Sequence, residues 1–129
     1  MFCFQCSETA GGTGCTVKGI CGKEPDVAKL QDLLVWILKG ASYWTVKGRL
    51  LGIEDEKTDS FIAEGLFTTI TNVNFDPADI ERMIRKAIQV RDEMKDKVNK
   101  KLGKTQVEAG VPEAAVWNVE GGIDLLELK

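Results

Sequence analysis

The sequence has 129 residues, four cysteines, no histidine and a formal net charge of −3. This length suggests a single domain, and the mild acidic balance gives no reason to expect a nucleic-acid partner. Without histidine there is no Ser-His-Asp or Cys-His nucleophile pair and no imidazole proton shuttle, so any metal must be held by thiolates or carboxylates.

The chain shows no sign of a membrane or secretory segment. Its longest unbroken apolar run, at residues 33–38, is far too short to span a bilayer. Residues 1–6 contain neither the basic start nor the long apolar stretch of a secretory signal. We therefore expect a cytoplasmic protein without a membrane partner. In that reducing compartment, closely spaced cysteines favour metal ligands or redox thiols over structural disulfides.

The first 25 residues are predicted to form a loop, because they are rich in glycine and contain all four cysteines. Residues 26–103 follow with helical periodicity and predict an up-down-up bundle of three helices. The first helix is predicted from about residue 26 to 51, with Gly52 ending it. Within it, Gly40 and Gly48 are interpreted as points of close helix contact.

The second helix is predicted from Thr58 or Asp59 to about Asn72. Its expected core stripe consists of Phe61, Ile62, Leu66, Phe67, Ile70 and Val73. The β-branched run at residues 68–71 makes a strand the alternative there.

The third helix is predicted to begin near Asp76, with Pro77 in its first turn, and to stop at Gly103. Its expected core residues are Ile80, Met83, Ile84, Ala87, Ile88, Met94, Val98 and Leu102. The tail, residues 104–129, is predicted to be irregular. Within it, Trp117 packs on the bundle, Gly121 and Gly122 break the chain, and residues 123–128 form an apolar patch. All parts together make one all-α domain, residues 1–129.

The four cysteines are spaced as Cys3-x2-Cys6-x8-Cys15-x5-Cys21. Four thiolates in one short loop suit a [4Fe–4S] cluster, and Lys18 and Lys23 beside the last cysteine offer positive charge to it. The same residues suit a structural zinc site, although the second pair is spaced unlike a zinc knuckle. A thioredoxin-type dithiol is a third interpretation, but the βαβ context that it requires is not predicted. Spacing alone favours iron–sulfur and leaves zinc open.

Longer motifs surround these cysteines: MFCFQC at residues 1–6, TGCTVKG at 13–19 and CGK at 21–23. They resemble the N-terminus of the hybrid-cluster proteins, also called prismane proteins or hydroxylamine reductases. The resemblance continues at LQDLL (30–34), LKG (38–40), GLFTTITN (65–72) and PEAA (112–115). It therefore covers most of the chain, up to about Trp117.

The resemblance implies a [4Fe–4S] cluster with Cys3, Cys6, Cys15 and Cys21 as its ligands, although some members carry a [2Fe–2S] cluster instead. In the family this cluster lies near the surface and relays electrons to a buried hybrid iron–sulfur–oxygen cluster, which reduces hydroxylamine to ammonia. The implied partners are the remaining domains of a hybrid-cluster protein and a redox donor protein.

One departure from the family is decisive for the expected activity. The family holds its hybrid cluster with histidine, glutamates and further cysteines from later domains, whereas this sequence has no histidine and no cysteine after Cys21. We therefore expect an isolated electron-transfer domain with no catalytic residue, inactive by itself as a hydroxylamine reductase. The alternative is a non-enzymatic structural or interaction module whose cysteines hold zinc or remain empty.

Overall fold

The computed structural model describes residues 1–70, 74–103 and 109–119. Three helices dominate this part of the chain: α1 (Pro25–Leu50), α2 (Glu56–Ile70) and α3 (Pro77–Leu102). Two short 3₁₀ turns accompany them, at Ala10–Gly12 and Glu113–Ala115. No helix in the described ranges is long and apolar enough to cross a membrane. The all-α, three-helix prediction is confirmed.

The central helix of the bundle is α1, which packs against both other helices. It begins at Pro25, where proline is tolerated because the first N–H groups of a helix have no intrahelical partner. Arg49 pairs with Asp59 of α2 at 2.6 Å, and Leu38 packs on Gly65, so these two helices run antiparallel. The C-terminal halves of α1 and α3 share one core cluster, which completes the up-down-up order.

The core consists of two clusters of buried side chains along the bundle. The first contains Val27, Leu30, Leu33, Leu34, Ile37, Leu38, Phe61, Ile80, Ile84, Ala87 and Ile88. The second contains Trp44, Met94, Val98 and Ala115. Trp44 Nε1 donates to the Ala115 carbonyl at 2.8 Å, so the buried indole has the partner that its N–H requires. The predicted core of α3 is confirmed, with Met83 and Leu102 packed at its edge.

The buried face of α2 differs from the predicted stripe. The predicted core residues that prove exposed are Leu66, Phe67 and Ile70. The residues that are buried are Thr58, Phe61, Gly65 and Thr69. A Cβ at Gly65 would lie 2.7 Å from Leu38 Cδ1, so the missing side chain lets α1 approach closely and selects this face. Val73 lies outside the described residues.

The β-branched run after Leu66 is helical as far as Ile70, so the strand alternative is wrong there. The Thr68 hydroxyl donates to the Glu64 carbonyl at 3.0 Å, and the Thr69 hydroxyl donates to the Leu66 carbonyl at 2.8 Å. These local bonds satisfy both hydroxyl groups within the helix.

The start of α2 is set by Asp55, earlier than the predicted Thr58 or Asp59. The Asp55 carboxylate accepts the Thr58 N–H at 3.1 Å, which satisfies one of the unpaired donors of the first turn. It also pairs with Lys97 of α3. The hydrogen bond from Lys97, and after it the Thr58 N–H, holds the pKa of the Asp55 carboxyl below its ordinary value.

Asp55→Ala is expected to lower the free energy of unfolding by about 1 kcal/mol at pH 7 because the helix cap is lost. The folded-state pKa of Asp55 is lowered, so its stabilisation is present above the unfolded pKa of about 3.9 and is lost as the pH falls through the folded value. Urea unfolding at a series of pH values should show the difference from wild type shrinking below about pH 4. A difference that stays constant down to the most acidic samples would contradict this cap.

The predicted ends of α1 and α3 are confirmed, whereas the predicted end of α2, near Asn72, lies outside the described residues. Asp76 caps α3, because its carboxylate accepts the Ala78 N–H at 2.9 Å. Gly103 follows Leu102 with φ +66°, the left-handed conformation that glycine adopts without steric cost. After α1, Leu51 comes first, and Gly52 then adopts the same left-handed conformation, with φ +76°.

The described part of the tail, residues 109–119, lies across α1 and packs there through Trp117. Its indole meets Trp36 edge to face, with 5.4 Å between ring centroids, so the predicted packing is confirmed. The segment before it forms a 3₁₀ turn, Glu113–Ala115. The predicted break at residues 121–122 and the apolar patch at 123–128 lie outside the described residues.

Gly40 is the point where the tail crosses α1. A methyl group at residue 40 would collide with the backbone carbonyl of Ala114. At Gly48 the one clash would be with the flexible end of Met94. Inside a helix alanine is ordinarily favoured over glycine by about 1 kcal/mol. Gly40→Ala is nevertheless expected to lower the free energy of unfolding by about 1–3 kcal/mol, and Gly48→Ala by less. Thermal unfolding checks this, and a Gly40→Ala Tm at or above that of wild type would contradict it.

Candidate functional site

The four cysteines predicted as ligands lie together. Cys3, Cys6, Cys15 and Cys21 all line one small cavity of about 20 Å³, which Ile70 at the end of α2 also lines. All four are free thiols. Cys15 is buried, Cys3 is half-buried, and Cys6 and Cys21 are exposed. The site is therefore closed by protein on one side and open to solvent on the other.

A short backbone pairing holds the first and third cysteines side by side. The N–H of Cys3 donates to the carbonyl of Cys15, and the N–H of Cys15 donates to the carbonyl of Cys3, both at 2.9 Å. Next to this pair, Gly14 has φ +125°, and a Cβ there would lie 2.8 Å from Cζ of Phe2. Glycine therefore allows both the turn and the packing of the Phe2 ring that close the segment.

Cys15 lies in an environment that favours its thiolate. The Ala10 N–H, at the start of the first 3₁₀ turn, donates to Cys15 Sγ at 3.4 Å. That hydrogen bond, and after it one from the Ile20 N–H, lowers the pKa of the Cys15 thiol, and the charge of Lys23 acts in the same direction against the effect of burial. The thiolate is the form that binds metals.

Of the two lysines beside the last cysteine, only Lys23 is in contact with the thiols. Its Nζ donates to Cys3 Sγ at 3.8 Å and to Gln5 Oε1 at 3.0 Å, and the residue is only 2% exposed. Lys18 instead pairs with Glu24 at the surface. Gln5 and Lys23 are 18 residues apart in an irregular segment. Their contact therefore could not be predicted from a periodic pattern in the sequence.

The chemistry of this donor set fits an iron–sulfur cluster, and zinc takes the same ligands. Both are bound by thiolates, and an anionic cluster also needs N–H groups and positive charge close to its sulfurs. The Ala10 N–H and the Lys23 ammonium supply both. The four thiols line the same cavity, but in the part of the chain that the structure describes no three cysteine, aspartate or glutamate side chains are close enough together to hold a metal ion. A centre bound by all four thiols therefore requires them to move closer to one another.

The chain is similar to known proteins over most of its length. The model of the Prismane/CO dehydrogenase family matches residues 1–117. A hydroxylamine reductase of Thermosipho melanesiensis is 50% identical over 100% of this chain, and so is one of Kosmotoga olearia. A hydroxylamine reductase of Halothermothrix orenii is 57% identical over 75% of the chain. The chain spans 24% of the length of each of the first two relatives and 18% of the third.

Proposed function

Because the chain belongs to the Prismane/CO dehydrogenase family, we propose that it is the electron-transfer part of a hydroxylamine reductase-like protein. The ligands of its [4Fe–4S] cluster are Cys3, Cys6, Cys15 and Cys21. The observation that carries this proposal is the placement of all four thiols around one cavity. When bound, the cluster supplies reversible one-electron chemistry, which requires no general acid or base.

The other residues of the site prepare the thiols for that role. The Ala10 N–H donates to Cys15 Sγ and favours the thiolate form in which the residue binds iron. Hydrogen bonds to the sulfurs and nearby charge set the potential of such centres. Cys6 and Cys21 are exposed, so a redox partner can come close to this side of the site.

The proposed roles divide along the chain. Residues 1–25 hold the cluster, and residues 26–103 form the bundle that supports them. Residues 104–129 form the tail, whose described part, residues 109–119, packs on the bundle through Trp117. We place the reduction of hydroxylamine outside this chain, because the sequence has no histidine and no cysteine after Cys21. The partners are then the remaining domains of such a protein and a redox donor protein, in the cytoplasm.

Two measurements on the anaerobically purified chain test this division of roles. Its visible absorption should bleach on reduction with dithionite and return on reoxidation. With hydroxylamine and a reduced viologen dye, the chain should form no more ammonia than the dye alone. Absorption that does not respond to reduction would contradict the electron-transfer role, and catalytic turnover of hydroxylamine would contradict placing the reaction elsewhere.

A further inference from the structure

Lys23 is a buried lysine that contacts two parts of the molecule at once. Lysine is almost never fully buried unless it is paired, yet this residue is 2% exposed. Its ammonium donates to Cys3 Sγ and Gln5 Oε1 in the N-terminal segment. It also lies 5.9 Å from the ring centroid of Phe75, just before α3. One side chain therefore connects the cysteine segment to the bundle.

Among the residues that the structure describes, no carboxylate pairs with the buried ammonium of Lys23. None of the ion pairs in the described ranges includes it. A buried charge is costly unless an opposite charge compensates for it, and the face of the Phe75 ring compensates only partly. Of the three side chains that the Lys23 ammonium contacts among the described residues, Cys3 is the one that carries negative charge as a ligand of an anionic cluster. A negative centre at the cysteines would compensate for the buried charge of Lys23.

Backbone hydrogen bonds hold the turn that carries Lys23. The Gly19 N–H donates to the Lys23 carbonyl at 2.9 Å, and the Gly22 N–H donates to the Gly19 carbonyl at 2.8 Å. A Cβ at Gly19 would lie 2.9 Å from Cβ of Lys23, so residues 19 and 23 are in direct contact across the turn. Cys21 lies between these residues in the turn, so the backbone positions of Cys21 and Lys23 are fixed relative to each other.

We infer that Lys23 is a positioning residue whose fixed positive charge raises the reduction potential of the centre held by the cysteines. This inference rests on the proposed function. Reduction moves one electron from a redox donor protein into the site, which becomes more negative, and a nearby positive charge stabilises that reduced form. Because Lys23 is buried, solvent and salt screen its charge only weakly. Lys18 is largely exposed and paired with Glu24, so its influence is screened.

Anaerobic redox titration of the full chain, after reconstitution with iron and sulfide, tests this inference. Lys23→Gln removes the charge and keeps a hydrogen-bond donor. It is expected to shift the reduction equilibrium at least tenfold toward the oxidised form, which is a potential about 59 mV more negative for one electron. Lys23→Arg is expected to restore the wild-type potential. Lys18→Gln is the matched control in the same segment and is expected to leave the potential unchanged.

The outcomes separate this inference from the proposed function. If wild type binds no cluster, the proposed function fails. If Lys23→Gln binds a cluster with the wild-type potential, the inference fails and the proposed function stands. If Lys23→Gln loses its iron, the iron content of Lys23→Arg decides between a role for the charge and a role in packing. Iron retained by Lys23→Arg supports a role for the charge, whereas iron lost from both variants assigns Lys23 a packing role and overturns the inference.

Discussion

Cys15→Ser is expected to lose or degrade the iron–sulfur centre, whereas Ser7→Ala is expected to keep it. Cys15 is the most buried of the four cysteines, at 5% exposure, and its backbone pairs with that of Cys3. The segment therefore holds this sulfur in place, and a water molecule or another side chain has little access to replace it. A serine hydroxyl remains protonated under conditions in which this thiol ionises, and its oxygen is a harder ligand than sulfur.

Iron content and visible absorption per chain measure this effect. Wild type and Ser7→Ala should carry equal iron, because Ser7 is exposed in the same segment and offers no thiolate. Cys15→Ser should lose most of the iron or absorb with a changed spectrum. Wild-type iron content and spectrum in Cys15→Ser would show that Cys15 is not a ligand.

Arg91→Met is expected to destabilise the fold more than the other substitutions discussed. Arg91 is fully buried in α3, where its Nη1 donates to the carbonyls of Ala114 and Trp117. Its Nε and Nη2 both donate to Oδ1 of Asp92, at 3.0 and 2.9 Å. One guanidinium group thus fastens the tail to α3 and satisfies the buried carbonyl of Ala114 and the partly buried carbonyl of Trp117.

Methionine at residue 91 keeps much of the side-chain length but leaves both carbonyls without this donor. An unsatisfied buried acceptor costs about 1–3 kcal/mol, so we expect a loss of about 3 kcal/mol and a Tm lower by roughly 10 °C. Arg85→Met, an exposed position on the same helix, should change the free energy of unfolding by no more than about 0.5 kcal/mol. Thermal unfolding followed by circular dichroism compares the two variants. Equal Tm values would mean that Arg91 does not hold the tail.

Local sequence patterns were sufficient to predict α1 and α3, because the periodicity of each helix and the residues that end it act within a few residues. Asp76 and Gly103 mark the ends of α3 by their own backbone chemistry. The face of α2 was not predictable in this way. It is selected by Gly65, which allows close approach to Leu38, and a hydrophobicity pattern does not register the absence of a side chain.

Arg91 shows the same limit for a polar residue in the core. It continues the row of Ile84, Ile88, Met94 and Val98 at helical spacing, which is the signal that would have indicated its burial. Its partners, the carbonyls of the tail, lie more than 20 residues away along the chain. No local rule predicts such a contact.

The candidate site, too, was predictable from the sequence only in part. The cysteines were identified from their spacing and surrounding motifs, because both lie within one short segment. The distinction between Lys18 and Lys23 was not predictable, since it depends on which ammonium the turn at Gly19 buries beside Cys3. No periodic pattern in the sequence predicts that turn.

The most direct test of the central claim is the iron and acid-labile sulfide content of the anaerobically purified chain, taken together with its visible spectrum. A [4Fe–4S] cluster held by Cys3, Cys6, Cys15 and Cys21 predicts brown protein with about four irons and about four sulfides per chain. Colourless protein with stoichiometric zinc and no sulfide would contradict it.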